Sequence, residues 1–156
     1  FNKYPENKVV ADNYGIVMTS SHCEPLLFNN VTEWFPKTMG EWNYMTNKDG
    51  INKVLDKRIA ENGIYENFYT LAMRGIHDSG LVGVPKEKEV SIVEEVLRDQ
   101  RDILAKHINK DIDSIPQQFV PYKEVMNIYE KGLKVPEYVT LVWPDDNFGY
   151  LKALEQ

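Results

Sequence analysis

The stretch FYTLAMRGIHDSG, residues 68–80, decides how the chain reads. Phe68 to Met73 is a run of aromatic and apolar residues too short for an ordinary helix, and it ends at the polar cluster Arg74-Gly75-Ile76-His77-Asp78. Beyond Pro85 the period changes. Over residues 86–108, Val93, Val96, Leu97, Leu104 and Ile108 recur at spacings of three, four and their sums, which predicts an amphipathic helix with Pro85 at its start. A short apolar run, a polar cluster and an amphipathic helix together are the signature of a βα unit.

The unit recurs on both sides of this stretch. Tyr14 to Thr19 (YGIVMT) is followed, after a long aromatic segment, by the helical stripe Ile51, Val54, Leu55, Ile59 and Ile64, which opens behind Asp49-Gly50 and loosens at Gly63. Gln118 to Pro121 precedes a short helix carrying Val125, Met126, Ile128, Tyr129 and Leu133, closed by Gly132 and Pro136. Tyr138 to Trp143 precedes a helical start after Asn147, with Tyr150, Leu151 and Leu154 as its apolar positions. About four βα units predict an α/β fold, either part of a (β/α)8 TIM-type barrel or a small open sheet. No GxGxxG or P-loop follows the first run, which argues against the doubly wound alternative. The chain also stops at LKALEQ with no fifth strand, so residues 1–156 read as a fragment of a single barrel domain. Residues 25–47 carry Phe28, Trp34, Phe35, Trp42 and Tyr44 among Asn, Gly and Thr, and are predicted to form a long loop after the first strand.

Composition narrows the function. A formal net charge of -6 and a pI of about 5.1 provide no basic field for phosphates, which argues against nucleic acid. No apolar run approaches the roughly 20 residues of a membrane span, and FNKYPENK lacks the apolar core of a signal peptide. Cys23, the only cysteine, excludes an internal disulfide and any CxxC metal cage. His22, His77 and His107 match no HExxH-type spacing, so no sequence-local metal site is expected.

Each apolar run ends in polar residues: Ser20-Ser21-His22-Cys23-Glu24, Arg74 to Asp78, Tyr122-Lys123-Glu124, and Asp145-Asp146-Asn147. One such cluster is ordinary helix capping, but four in register, mixing His, Arg, Tyr and Lys with carboxylates, point to a site at the strand ends. Glu124 is either a helix N-terminal residue or a general acid. Of the adjacent Asp145 and Asp146, one side chain faces the site and the other caps. Arg74 and Lys123 suit an anionic group on a substrate, although Arg74 could instead pair with Asp78 or Glu24. His107 reads as a surface residue, Cys23 as an inert buried thiol, Trp143 as packing, and Trp34, Trp42 and Tyr44 as loop core before sugar-stacking surface. Chemistry alone also leaves open a barrel isomerase, a metal-dependent hydrolase and a non-catalytic carbohydrate-binding fragment.

At these clusters the sequence resembles glycoside hydrolase family 115. The resemblance runs through GIVMTSSHCEPLLFNNVTEW from Gly15, NYMTNKDG from Asn43, YTLAMRGIHDSG from Tyr69 and VPYKEVMNIYEKGLKVPEYVTLVWPDDNFGY from Val120. It implies an α-glucuronidase that removes glucuronic acid or its 4-O-methyl ether from glucuronoxylan with inversion, in a protein several-fold longer. No cofactor or metal is expected, although a metal brought together by the fold stays open, and the full-length protein is expected to be secreted or periplasmic. It further implies Glu124 as general acid, with Asp78, Asp145 and Asn147 in the site, and His22, Glu24, Arg74 and Tyr122 lining a uronic-acid pocket. His77, within the same RGIHD motif, is a candidate substrate contact. The role of Lys123 in binding substrate rests on its charge. At Phe28 the sequence departs from the basic residue expected in relatives. A fragment of this length is expected to be inactive alone, with open strand edges that favour self-association.

Overall fold

A computed structural model describes residues 3–146 and 148–150. Its helices are α1 (Pro5–Asn13), α2 (Asn30–Glu33), α3 (Pro36–Met39), α4 (Tyr44–Asn62), α5 (Glu89–His107) and α6 (Glu124–Glu130), and its strands are β1 (Tyr69–Thr70), β2 (Gln117–Phe119) and β3 (Thr140–Leu141). The strands are parallel in the order β1-β2-β3, with Tyr69 opposite Gln117 and Gln118 opposite Thr140. A parallel bridge from Met18 to Asn67 brings the first apolar run beside β1. All four runs therefore lie side by side in chain order, a parallel α/β arrangement.

The first run is shorter than its apolar pattern suggests, because an unforeseen helix precedes it. α1 ends in a Schellman turn: Gly15 sits at φ 63°, its N–H donates to Asp12 O (2.9 Å), and Ile16 N–H donates to Ala11 O (2.9 Å). This turn takes up Tyr14 and Gly15 and leaves Ile16 and Val17 exposed. The helical start expected after Asn147 falls almost wholly outside the described residues.

The core lies between the sheet and the pair α4 and α5. Ile51, Leu55 and Ile59 of α4 meet Val93, Val96, Leu97 and Leu104 of α5, all of them buried. Each such side chain contributes about 1.5–3 kcal/mol of transfer free energy. Among them Gln100 is fully buried: its Nε2 donates to Ala72 O (2.7 Å) and its Oε1 accepts from Ala72 N–H (3.0 Å). Thus α5 satisfies the backbone just beyond β1 and holds the chain extended into Arg74.

Residues 25–47 are not an open loop. Pro25–Leu27 forms a buried 3-10 turn, α2 and α3 follow, and α4 starts at Tyr44, ahead of Asp49-Gly50. Asn29 Oδ1 caps α2 by accepting from Val31 N–H and Thr32 N–H, both at 3.0 Å. α4 breaks at Asn47 (φ -144°, ψ 40°), whose Nδ2 donates to Met39 O (2.8 Å) and Glu41 O (2.9 Å). Gly50 is required at that break, since a Cβ there would lie 2.4 Å from Asn47 Oδ1. The aromatic residues form a cluster, with Phe28 stacked on Trp42 (5.8 Å) and Trp34 edge-on to Trp42 (4.9 Å). Trp34, Trp42 and Tyr44 are buried, in accord with the loop-core reading. His107 is not a free surface residue, because its Nε2 lies 2.9 Å from Asp56 Oδ1 at the α4–α5 contact.

Candidate active site

The polar clusters meet at the C-terminal ends of the parallel segments, with Arg74 at their centre. Its side chain is only 2% exposed. Nε donates to Glu124 Oε1 (2.8 Å) and Nη2 to Glu124 Oε2 (2.6 Å), while Nη1 pairs with Asp78 Oδ1 and lies 3.2 Å from His22 Nε2. Such a fork accepts a carboxylate edge-on and fixes its plane. The Arg74 carbonyl in turn accepts a 2.7 Å hydrogen bond from Trp42 Nε1, so the aromatic cluster anchors the backbone that carries the guanidinium.

Asp78 joins the remaining groups. Its Oδ1 lies 2.7 Å from His22 Nε2, and its Oδ2 accepts from Lys123 Nζ (2.8 Å). His22 is edge-on to the Tyr122 ring at 4.8 Å, and Lys123 Nζ lies 5.2 Å from the centroid of that ring. Burial, followed by the nearby Arg74 and Lys123 charges, pushes the His22 imidazole below its ordinary proton affinity. Glu24 stays close, but Arg74 pairs with Asp78 and Glu124 rather than with it. Glu24 closes its own turn, accepting from Asn29 Nδ2 and from Ser21 N–H (3.4 Å).

The backbone here is unusual. Among the described residues, the non-glycine positions with positive φ are Leu26, Leu27, His77, Asp78 and Lys123. Three of these are site candidates, and the two leucines lie in the turn just after Glu24. Each conformation of this kind costs on the order of 1–3 kcal/mol and persists only where the surroundings enforce it. One enforcing element is Gly75, whose N–H donates to Ser79 O (2.9 Å) and where a Cβ would lie 2.1 Å from Ser79 Oγ.

Asp145 is exposed and stands beside this cluster, in the wall of a cavity of about 410 Å3 shared with Tyr122, Lys123, Met126, Asn127, Pro144 and Asp146. Asp146 closes a local turn: its Oδ1 accepts from Phe148 N–H (2.9 Å) and Tyr150 N–H (3.0 Å). Asn147 lies outside the described residues. His77 is exposed and makes no hydrogen bond or ion pair among the described residues, so nothing ties it to the cluster. Cys23, half-buried, lies at the cluster rather than in a core, with Sγ 3.2 Å from Ser21 Oγ. Sequence reasoning also missed Trp42 as the Arg74 anchor; a buried indole N–H, which needs an acceptor, was the available signal. A second cavity, of about 470 Å3, opens at the opposite strand ends beside Asn67, Tyr69 and Pro116, and none of these clustered residues lines it.

A parallel α/β unit whose strand ends gather carboxylates around a buried guanidinium defines the class: an α/β protein with a carboxylate-based polar site. Residues 1–156 match the family pattern of glycosyl hydrolase family 115, and the chain belongs to that family of glycoside hydrolases. It is similar to a solved structure described as a family GH115 4-O-methyl-alpha-glucuronidase with specificity for decorated arabinogalactans. The two share 42% identity at a TM-score of 0.89, over 96% of this chain and 20% of that one. The chain thus spans about a fifth of that protein's length. No curated protein sequence matches it.

Proposed function

We propose that this chain supplies part of the active site of an inverting α-glucuronidase that releases glucuronic acid, or its 4-O-methyl ether, from a branched polysaccharide. The observation that carries the reading is the Arg74 guanidinium, which holds Glu124 on one edge and Asp78 on another beside a cavity that Asp145 lines. Inversion uses one carboxyl group to protonate the leaving oxygen and a second, roughly 6.5–9.5 Å away, to activate water. Glu124 is the acid, and Asp78 or Asp145 the base.

Arg74 is a positioning residue in this scheme rather than a substrate contact, since its fork is enclosed and already filled by Glu124 and Asp78. Both Glu124 oxygens accept from it, so proton delivery requires one of those bonds to be exchanged as substrate docks. Lys123 donates to Asp78 Oδ2 (2.8 Å) but keeps its side chain 48% exposed, so it is the cation that a uronate carboxylate can reach. His22 and Tyr122 form the wall beside it. The four parallel runs in chain order support one (β/α)8 barrel domain completed by further strands, and a polymeric substrate supports a secreted or periplasmic enzyme. By itself the segment is inactive and associates through its open edges.

Xylan is one polymer class, and the relative specific for decorated arabinogalactans favours those as a second. The deciding experiment incubates the full-length protein and its Glu124→Ala variant with 4-O-methylglucuronoxylan and with uronate-decorated arabinogalactan, following the released sugar by NMR. Release of the β-anomer first, lost in the variant, supports the proposal. No release from either polymer by the full-length protein, or equal release by the variant, rejects it.

A further inference from the structure

His22 and Asp78 are 56 residues apart in sequence, yet with Cys23 they place one nitrogen, one sulfur and one oxygen atom within 4.8 Å of one another. We propose that these three side chains form an inhibitory site for a thiophilic divalent cation, Zn2+ being the type. A soft thiolate, a borderline imidazole and a hard carboxylate together suit zinc far better than magnesium or calcium. Zinc bonds of about 2.0–2.3 Å place tetrahedral donors roughly 3.3–3.8 Å apart, so the set closes with side-chain shifts of about 1 Å. All three residues are half-exposed and have room for such shifts. Three protein donors leave the fourth position for water.

Charge permits the ion. Glu24, Asp78 and Glu124 face Arg74 and Lys123 around His22, so carboxylates outnumber cations. The Cys23 thiol releases its proton to solvent on binding, and thiolate plus carboxylate then neutralise the dication. The ion competes with Arg74 and Lys123 for Asp78, which makes the site an inhibitory one. Loading it draws Asp78 out of its ion pairs. The inhibitory half rests on the glucuronidase reading; binding does not.

The test titrates Co2+ into the intact protein and into Cys23→Ser, reading the near-ultraviolet thiolate-to-cobalt charge-transfer band. Turnover is then assayed with Zn2+ at the concentration that displaces the cobalt. The expected result is a band saturating at one equivalent in the intact protein and absent from Cys23→Ser. Zn2+ lowers turnover at least tenfold in the intact protein and less than twofold in Cys23→Ser, whose metal-free activity and thermal midpoint are unchanged. Absence of the band, or an equal band in the variant, overturns the site whether or not the enzyme is active. A band without inhibition in an active enzyme overturns its inhibitory role. If the glucuronidase assay fails, the cobalt band alone still decides whether these three side chains bind metal.

Discussion

Lys8 gives the sharpest physical test of this structure. It lies in α1, is 1% exposed, and donates from Nζ to Asn67 Oδ1, with no carboxylate partner among the described residues. Asn67 is itself committed, its Nδ2 donating to Asn62 O (2.9 Å), Tyr65 O (2.7 Å) and Tyr69 Oη (3.0 Å). Burial, and then the Arg58 charge, push the Lys8 ammonium down from 10.5 to about 8. That displacement makes the charged form cost at most about 3 kcal/mol at neutral pH. The unfolded chain keeps this proton up to about pH 10.5 and the folded chain loses it near 8, so between those values the unfolded state binds more protons. Stability therefore rises with pH through that window, by up to the same 3 kcal/mol. Lys8→Met removes the cost but leaves Asn67 Oδ1 unpaired, a penalty of about 1–3 kcal/mol, so the net change at pH 7 is small. The diagnostic is the difference between the two proteins. Urea unfolding at pH 7, 8, 9 and 10 should show the native protein gaining on Lys8→Met at each step above 8. Other titrations cancel in the difference. Tyr69, held above its ordinary value by burial, stays neutral over most of this range. Parallel stability profiles for the two proteins from pH 7 to 10 would refute the buried-ammonium argument.

Three further outcomes follow from the site. Glu124→Gln should lower turnover on polysaccharide by about 10²–10⁴, the usual worth of a positioned general acid, with a much smaller loss on an aryl glucuronide whose leaving group needs no proton; equal losses on both would remove Glu124 from that role. Lys123→Met should raise KM for the uronate substrate by about tenfold or more, the scale of one charged hydrogen bond, while binding of the neutral glucose analogue stays unchanged. Trp42→Phe keeps the ring packing but strands the buried Arg74 carbonyl, which should cost about 1–3 kcal/mol in chemical unfolding and lower turnover through a displaced guanidinium. Unfolding identical to the native protein would show that Trp42 does not anchor Arg74.

Local pattern was enough for the α/β architecture, because a βα unit is written in neighbouring residues. The stripe through Val93, Val96, Leu97 and Leu104 became α5, and the runs around Tyr69, Gln118 and Thr140 became parallel strands. Helix α1 escaped notice because its exposed Val9 and Val10 give it no clean apolar stripe. Residues 25–47 read as a loop because one-turn helices carry almost no periodicity. What holds them is contact with distant partners: Trp42 with the Arg74 carbonyl, and Arg58 with Glu33 and Leu27 O.

The polar clusters were legible as well, since each follows its apolar run directly, and most of their side chains do converge. By itself the sequence determined which residue types stand at the strand ends, and hence the chemistry within reach. Who pairs with whom was decided only by the tertiary structure. Arg74 is engaged by Glu124 and Asp78, Lys123 remains open to solvent, His77 turns outward, and Cys23 comes within reach of His22 and Asp78. Apart from Arg74–Asp78, four residues apart, those contacts join segments 45 to 56 residues apart, and they depend on strand order and on backbone at positive φ that no local pattern encodes.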